Sequence, residues 1–341
     1  MNPVLSIIVI SYNTSKITID CLRSILKDKG LEFNLKNKRT RSPPVEDDHK
    51  TPAEIIVIDN ASKDDSVSAI KKFFTQRHPD HPQGEKDPLK ILRSAQNDVP
   101  NFTIIKNNRN IGFARANNQG IKLAKGNYVL FLNSDTLILH SAISQSLNWL
   151  SAHPEASICT AQLLNKDKSI QASGGFFPNL LNTLAWSIGL DDLPLINKLI
   201  PPIHPHTPQF YTHDNFYKKD HQQDWVTAAF MLIRKSTINQ TKGFDKNYFM
   251  YAEELEWCYR IKKSDPKTQI WYLIGPQIIH LGGASATHHQ NKLINEYKGI
   301  LAFFKKHKSI LQYKTAKLFI KTGILLRSII KPNYRNLCSK I

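Results

Sequence analysis

The sequence predicts an α/β protein: a mostly parallel sheet with helices on both faces, then a mixed region, then a basic, amphipathic helical C-terminus. Three observations carry this. Up to about Leu164, short apolar runs alternate with stretches of helical period, the βαβα order of a parallel sheet. Each apolar run stops abruptly at polar residues, as strands do where an open α/β sheet meets a ligand. From Lys292 onward, basic and apolar residues interleave at helical spacing, with Glu296 as the one acid.

Leu5–Ile10 reads as the first strand. Asn13 or Thr14 caps a helix whose apolar stripe is Ile17, Cys21, Leu22 and Ile25. Glu54–Ile58 is the second strand, ending in Asp59-Asn60. Asp64-Asp65 opens a helix carrying Val67, Ile70, Phe73 and Phe74. Phe102–Ile105 is the third strand, Gly112–Ala124 a helix and Asn127–Leu132 the fourth strand. Two segments, about 36–53 and 78–101, are polar, rich in Pro and charge, and aperiodic. They exceed normal connections and read as surface insertions. Ser169 to Leu281 mixes strands, loops and one short helix. Within it, Asp191–Gln223 is rich in Pro, His and aromatics. His204, His206, His213 and His221 match no standard ligand spacing, so the stretch reads as a solvated loop.

A chain of 341 residues holds either two domains or one large α/β domain with additions, and 41% hydrophobic residues supply a full core. Cys21, Cys159, Cys258 and Cys338 form no CxxC pair, which argues against a disulfide framework or zinc site and fits a reducing compartment. The N-terminus lacks a basic leader region and reads as a strand rather than a signal peptide. No apolar run reaches the ~18 residues of a membrane span. The net charge of +18 gathers in the tail, where Lys305, Lys306, Lys308, Lys314, Lys317 and Lys321 alternate with apolar residues. This pattern describes a helix on an anionic membrane surface. A helix docked on its own core gives the same pattern. Nucleic acid is disfavoured, because no DNA- or RNA-binding signature accompanies the charge.

The polar strand ends are Ser11-Tyr12-Asn13, Asp59-Asn60, Asn107-Asn108 and Asn133-Ser134-Asp135. Their convergence at one sheet edge would build a binding site. Asp135, with Asn133 two residues before it, suits a hard cation that also touches phosphate oxygens. An Asx-type turn accounts for the same triplet. Asp59 can accept hydrogen bonds from a base edge or a ribose, or cap the next segment. The stretch from Asn110 to Gly120 is not GxGxxG, which disfavours a nicotinamide dinucleotide fold. Within it, Gly112 permits close backbone approach, and Arg115 sits on the first helical turn, within reach of phosphate or base.

A second cluster is Tyr251-Ala-Glu-Glu-Leu-Glu-Trp-Cys-Tyr-Arg260. In a helix, Glu254, Trp257, Cys258 and Ile261 share one face, and Glu256 with Arg260 reads as a solvent salt bridge on another. A carboxylate on the more apolar face, in the first turn, can serve as a general base. Glu253 fits the simpler role of an acid complementing the helix dipole. His280, at the end of an apolar strand and before two glycines, is either a metal ligand or structural.

Together these blocks resemble glycosyltransferase family 2, inverting nucleotide-sugar transferases with a GT-A fold, and within it the bacterial rhamnosyltransferase-like branch. The resemblance rests on Ser6–Asn13, Val57–Asp64, Asn110–Gly120, Phe131–Asp135, Trp225–Met231, Phe249–Glu254 with Trp257–Arg260, and Ile279-His280. It implies a transferase domain over 1–285, followed by the basic helical tail at 286–341. It also implies a nucleotide site of Tyr12, Asn13, Asp59, Asn110, Gly112, Arg115 and Asn133. Asp135 and His280 would hold a divalent cation, Mg²⁺ or Mn²⁺, Glu254 would be the catalytic base, and Trp225 and Glu253 would meet the acceptor. The implied partners are a nucleoside-diphosphate sugar, with dTDP-rhamnose the first candidate, and a lipid-linked or polysaccharide acceptor of the cell envelope. The implied location is cytoplasmic, on the inner face of the cytoplasmic membrane. Three departures stand out: Glu254 replaces the usual Asp, Ala228 replaces a usual Gly near the acceptor, and the insertions enlarge the nucleotide-side loops. A degenerate relative that holds nucleotide or glycan without turnover is the rival reading. An enzyme of this fold with a soluble product is another.

Overall fold

A computed structural model describes residues 3–33, 50–75, 101–207, 216–282, 289–330, 334 and 337–341. Most of both expected insertions, and His213, lie outside these residues. Thr51–Ala53 do not belong to the first insertion: they begin a strand, and Ala53 lies opposite Leu5. Their backbone groups pair although their side chains gave no strand signal.

The described strands form one sheet. β1 (Leu5–Ser11) lies between β3 (Thr51–Asp59) and β5 (Tyr128–Asn133), parallel to both, and β4 (Phe102–Lys106) extends the sheet beyond β3, also parallel. The short β2 (Leu31–Glu32) pairs with the start of β3. β1, β3 and β5 are buried along most of their length on both faces, and alternate residues enter two cores: Ile7 and Val9 one, Ile8 the other. Helices α1 (Ser15–Ile25), α2 (Ser66–Thr75) and α4 (Ala142–Ala152) cover the Ile7 face. Helix α3 (Phe113–Leu123) covers the opposite face, its Ala114 and Ala116 in the Ile8 core. The buried stripe of α1 is Thr18, Cys21, Leu22 and Ile25 with Ile19, rotated slightly from the expected one, which leaves Ile17 half-buried.

Beyond β5 the sheet turns antiparallel. β10 (Phe230–Arg234) runs antiparallel to β5 and to β7 (Ala156–Leu164), and β11 (Gln269–His280) lies parallel to β7. β6 (Thr136–Ile138) pairs antiparallel with the end of β11. β8 (Ile170–Gln171) and β9 (His221–Gln222) are short flanking strands.

The middle region holds more helix than composition suggested: α5 (Leu180–Ile188), α6 (Pro194–Leu199), α7 (Lys235–Thr241) and α8 (Glu253–Ser264). Asn179 begins α5 with a capping box to Asn182, and Pro194 sits in the first turn of α6. The tail forms α9 (His289–His307) and α10 (Ile310–Ile330). Tyr297, Ile300, Phe303, Phe304, Ile320 and Ile324 are buried in the same core as Ile8, Phe131 and Trp257. One face of the tail is therefore a structural layer of the sheet domain, and the packing does not follow the change of composition at residue 285.

Candidate active site

Parallel pairing brings the polar strand ends level. Ser11 lies opposite Asp59, Asp59 opposite Lys106, and Ile10 opposite Asn133. β1 is also where strand order reverses, so the ends open into a crevice of the kind that receives ligands. Asp59 is fully buried. One carboxylate oxygen accepts from the Ser62 N–H at 3.1 Å; the other has no hydrogen-bond partner among the described residues. An enclosed, unpaired carboxylate oxygen is costly unless a ligand donates to it. Asn13, left-handed at φ 53°, clasps the same loop: its Oδ1 accepts from the Lys63 N–H at 2.7 Å, and its N–H donates to Ser62 Oγ at 2.9 Å. Tyr12 is half-buried beside it.

Asn110 and Gly112 turn out to shape the loop. Asn110 Oδ1 accepts from Asn60 Nδ2 and from the Gly112 N–H, at 2.8 and 3.0 Å. Asn60 in turn accepts from Asn107 and from the Ile111 N–H. Gly112 has φ 85°, and a Cβ there would lie 2.6 Å from the Phe249 carbonyl oxygen. Its close approach is thus to the protein's own chain, ahead of α8. Arg115 is exposed, donates to the Lys246 carbonyl at 2.9 Å, and lines a cavity of about 340 Å³ with Arg109, Lys246 and Phe249.

Asp135 and His280 come together through the sheet. β6 and β11 pair so that His280 faces Thr136, and the Leu281 N–H donates to the Asp135 carbonyl. His280 Nε2 then lies 3.3 Å from Asp135 Oδ1 and 3.3 Å from Asn133 Nδ2. His280 Nδ1 is 2.5 Å from Gln171 Oε1, which can only accept. With Nδ1 donating to Gln171, Nε2 faces Asp135, where a neutral ring would present its lone pair as a metal-ligating histidine with a supporting partner does. Gln171 has no signal in the sequence; β8 brings it there. Among the described residues no group of three or more His, Cys, Asp or Glu forms a complete metal cage. The pair fits a cation whose other ligands come from a bound phosphate and water.

The second half of the site lies at the start of α8. Tyr251 and Ala252 are left-handed at φ 73° and 65°, a strained entry of the kind found at functional sites. It delivers two adjacent carboxyls. Glu253 is buried, and Glu254 has one oxygen enclosed without a partner among the described residues. Burial lifts both above the ordinary carboxylate range, and the charge of Glu254 lifts Glu253 further. Hydrogen bonds from the Ala228 N–H and the Thr227 hydroxyl, with His204 nearby, favour the ionised form of Glu254. Glu253 is thus pushed further towards its neutral form than Glu254. Trp225 is buried, and its Nε1–H has no hydrogen-bond partner among the described residues.

Glu256 corrects the expected solvent salt bridge. It is fully buried, and its Oε1 accepts from Arg260 Nε at 2.9 Å, Lys306 Nζ at 2.7 Å and His307 Nε2 at 3.0 Å. Burial opposes its charge, but His307, Lys306 and Arg260 outweigh it and hold the carboxyl down at about 2. Two of the three partners come from α9, the supposed appendage. His204 and Glu296 also enter the site unannounced. Their one signal was that Glu296 is the lone acid in a basic helix, and a lone acid there calls for a partner.

The fold is of GT-A architecture. The chain belongs to glycosyltransferase family 2, whose signature matches residues 6–186. It is 26% identical over 190 residues to the rhamnosyltransferase WbbL of Escherichia coli (strain K12), a match covering 53% of this chain and 63% of that protein. It is 23% identical over 185 residues to the N-acetylglucosaminyl-diphospho-decaprenol L-rhamnosyltransferase of Mycobacterium tuberculosis, covering 50% and 57%. The chain thus matches only about three-fifths of the length of these relatives. Among solved structures, GalNAc-T7 with UDP, GalNAc and Mn²⁺ superposes at TM-score 0.55 and 14% identity, over 99% of this chain and 54% of that one. The mannosyltransferase PcManGT of Pyrobaculum calidifontis, in complex with GDP-Man and Mn²⁺, superposes at 0.50 and 13%, over 99% and 79%.

Proposed function

We propose that this glycosyltransferase is an inverting enzyme that moves rhamnose from a dTDP-activated donor to a hydroxyl of a lipid-linked cell-envelope glycan. The observation that carries the transfer reading is the left-handed turn at Tyr251 and Ala252, which delivers Glu254, one oxygen enclosed without a partner among the described residues, beside the buried Glu253. The sugar and acceptor classes are carried over from the two rhamnosyltransferase relatives, one of which is named for a diphospho-decaprenol acceptor.

Glu254 takes the proton of the acceptor hydroxyl. That oxygen bonds to the anomeric carbon as the bond to the nucleoside diphosphate breaks on the opposite face, which inverts configuration. Asp59 accepts from the base or ribose, with Tyr12 and the Asn13 clasp beside it. Trp225 and Glu253 stand on the acceptor side. Asp135 and His280 would hold a divalent cation, Mg²⁺ or Mn²⁺, with Asn133 next to them; when bound, the ion would neutralise charge on the leaving diphosphate. Residues 1–285 and the helices after them act as one catalytic unit.

The same chain works at the inner membrane surface. Leu311, Leu318, Leu325 and Ile329 of α10 are each more than 60% exposed, with Lys314 exposed and Lys321 half-exposed along the same stripe. Leu and Lys on one face suit an anionic lipid surface. No helix among the described residues is long and apolar enough to cross a membrane.

Thermal unfolding with UDP, dTDP, GDP and CDP, each with and without Mn²⁺ or Mg²⁺, tests the site. A metal-dependent rise in Tm with dTDP is expected, followed by transfer from dTDP-rhamnose to a short-chain lipid diphospho-N-acetylglucosamine. No rise with any nucleotide in a folded sample would favour a degenerate fold. Cosedimentation with phosphatidylglycerol vesicles, lost when Leu318 and Leu325 become Ser, tests the membrane surface.

A further inference from the structure

Three enclosed polar atoms cluster on the acceptor side. Trp225 Nε1, His204 Nε2 and Glu254 Oε2 each lack a hydrogen-bond partner among the described residues. The side chains are neighbours. The His204 ring stands edge-on to Trp225, with centroids 5.3 Å apart, and His204 is near enough to Glu254 for its charge to be felt there. His204 Nε2 lies 3.1 Å from Glu296 Oε1, an ion-pair distance without hydrogen-bond alignment. Polar atoms this enclosed are stable only when something pairs with them, and a ring of hydroxyls offers both donors and acceptors.

The fold holds this cluster in place. Gly174, at φ 91°, and Gly175, at φ 152°, let the chain pass between two others: a Cβ on Gly174 would lie 2.1 Å from the Trp225 carbonyl oxygen, and one on Gly175 equally close to that of Ile203. The chain carrying His204 is thereby set beside Trp225. From the other side α9 crosses the strained turn before α8, where a Cβ on Gly299 would lie 2.8 Å from the Ala252 Cβ. That crossing brings Glu296 to His204. The Trp186 ring, 5.0 Å from Tyr297 and 6.2 Å from His204, continues the wall as an aromatic surface suited to a sugar face.

We propose that His204 and Glu296 complete the acceptor subsite: with Trp225 and Glu254 they grip the hydroxyls of the acceptor sugar, and Glu296 positions the imidazole. This rests on the transferase reading above and adds a binding residue from the loop, His204, and a positioning residue from the tail, Glu296. The titratable groups that interact with Glu254 are Glu253, Tyr251 and Cys258 from its own segment and His204 from the loop, with Asp224 behind Cys258; Glu296 of α9 acts on Tyr251 and His204. Burial opposes the charge of Glu296, and His204, Lys292 and Arg327 overcome it.

The test uses the full chain as wild type, His204→Ala, His204→Gln and Glu296→Gln, with dTDP-rhamnose and the short-chain lipid diphospho-N-acetylglucosamine. In His204→Ala the acceptor KM rises about tenfold, the size of one lost hydrogen bond in a closed site. The acid limb of kcat/KM moves to higher pH, because Glu254 loses a neighbour that favours its ionised form. His204→Gln recovers part of the KM and none of the pH shift, and Glu296→Gln shows both effects more weakly. Nucleotide-induced stabilisation stays at the wild-type value throughout. Wild-type acceptor KM and pH profile in His204→Ala overturn the subsite, as does a loss that tracks falling nucleotide binding. A wild-type chain that neither binds nucleotide nor transfers sugar overturns the transferase reading and this subsite with it, a different result from a wild-type-like His204 variant.

Discussion

The two halves of the proposed site, a nucleotide side and an acceptor side, are built differently. On the nucleotide side, consecutive parallel strands end level with one another, so Ser11, Asp59 and Asn133 reach one edge by register alone. On the acceptor side, the groups come from the loop at His204, the turn at Trp225, the start of α8 and Glu296 of α9. The first half is repeated local structure. The second is a meeting of distant segments, held by tight glycine contacts and one buried charge cluster. Damage to the nucleotide half should therefore stay local, while damage to the acceptor half should spread into folding.

The sharpest separation comes from Glu254→Gln. Transfer should fall by roughly 10²–10⁴-fold, the usual contribution of a general base, while nucleotide stabilisation is kept. Because Glu254 is raised by burial, wild-type kcat/KM should fall on acidification above the ordinary carboxylate range, as the base takes up its proton. Equal activity in Glu254→Gln would remove it as the base. Asp135→Asn should act on the other half. Metal-dependent stabilisation by nucleotide should disappear and kcat should drop about 10²–10³-fold, with the metal-free Tm unchanged.

Glu256→Ala probes the charge cluster that joins α8 to α9 within the second half. Removing it leaves Lys306, His307 and Arg260 without their shared carboxylate, and unfolding in urea should show a loss of about 3–5 kcal/mol. Its carboxyl lies at about 2 when folded, below the ordinary value of 4.5. The stabilisation is thus complete above pH 4.5 and lost as pH falls towards 2. Truncation at Lys305 removes two of those partners, Lys306 and His307, so it should destabilise the enzyme as well as free it from vesicles. Retained stability in the truncated chain would restore the view of the tail as a separable anchor. The smallest effect is expected for Asp59→Asn: nucleotide affinity about tenfold weaker by titration calorimetry, with acceptor KM unchanged.

Legibility followed the same division. The strands, the helix after each, and the polar strand ends were readable because burial on both faces writes continuous apolar runs with sharp stops. Asp135 and His280 could be named one at a time, but their 3.3 Å approach depends on the pairing of β6 with β11, between residues far apart in the chain. Asn110 and Gly112 were read as ligand contacts, yet they hold the loop itself. Composition cannot tell a glycine that admits a phosphate from one that admits the Phe249 carbonyl. The Glu256–Arg260 pair looked like any exposed i,i+4 bridge, because sequence periodicity does not say which helix packs on that face.

What the amino-acid sequence determined by itself was the α/β class, the polar ends of its parallel strands and the family, since these rest on local periodicity and on short contiguous blocks. Tertiary structure alone decided that a basic, apolar-striped tail is two helices with one face in the core and the other exposed. It alone brought Glu296 to His204 and Lys306 to Glu256. The physical reason is burial: an amphipathic helix carries its pattern whether it covers a sheet or a membrane, and only the partner surface makes the choice.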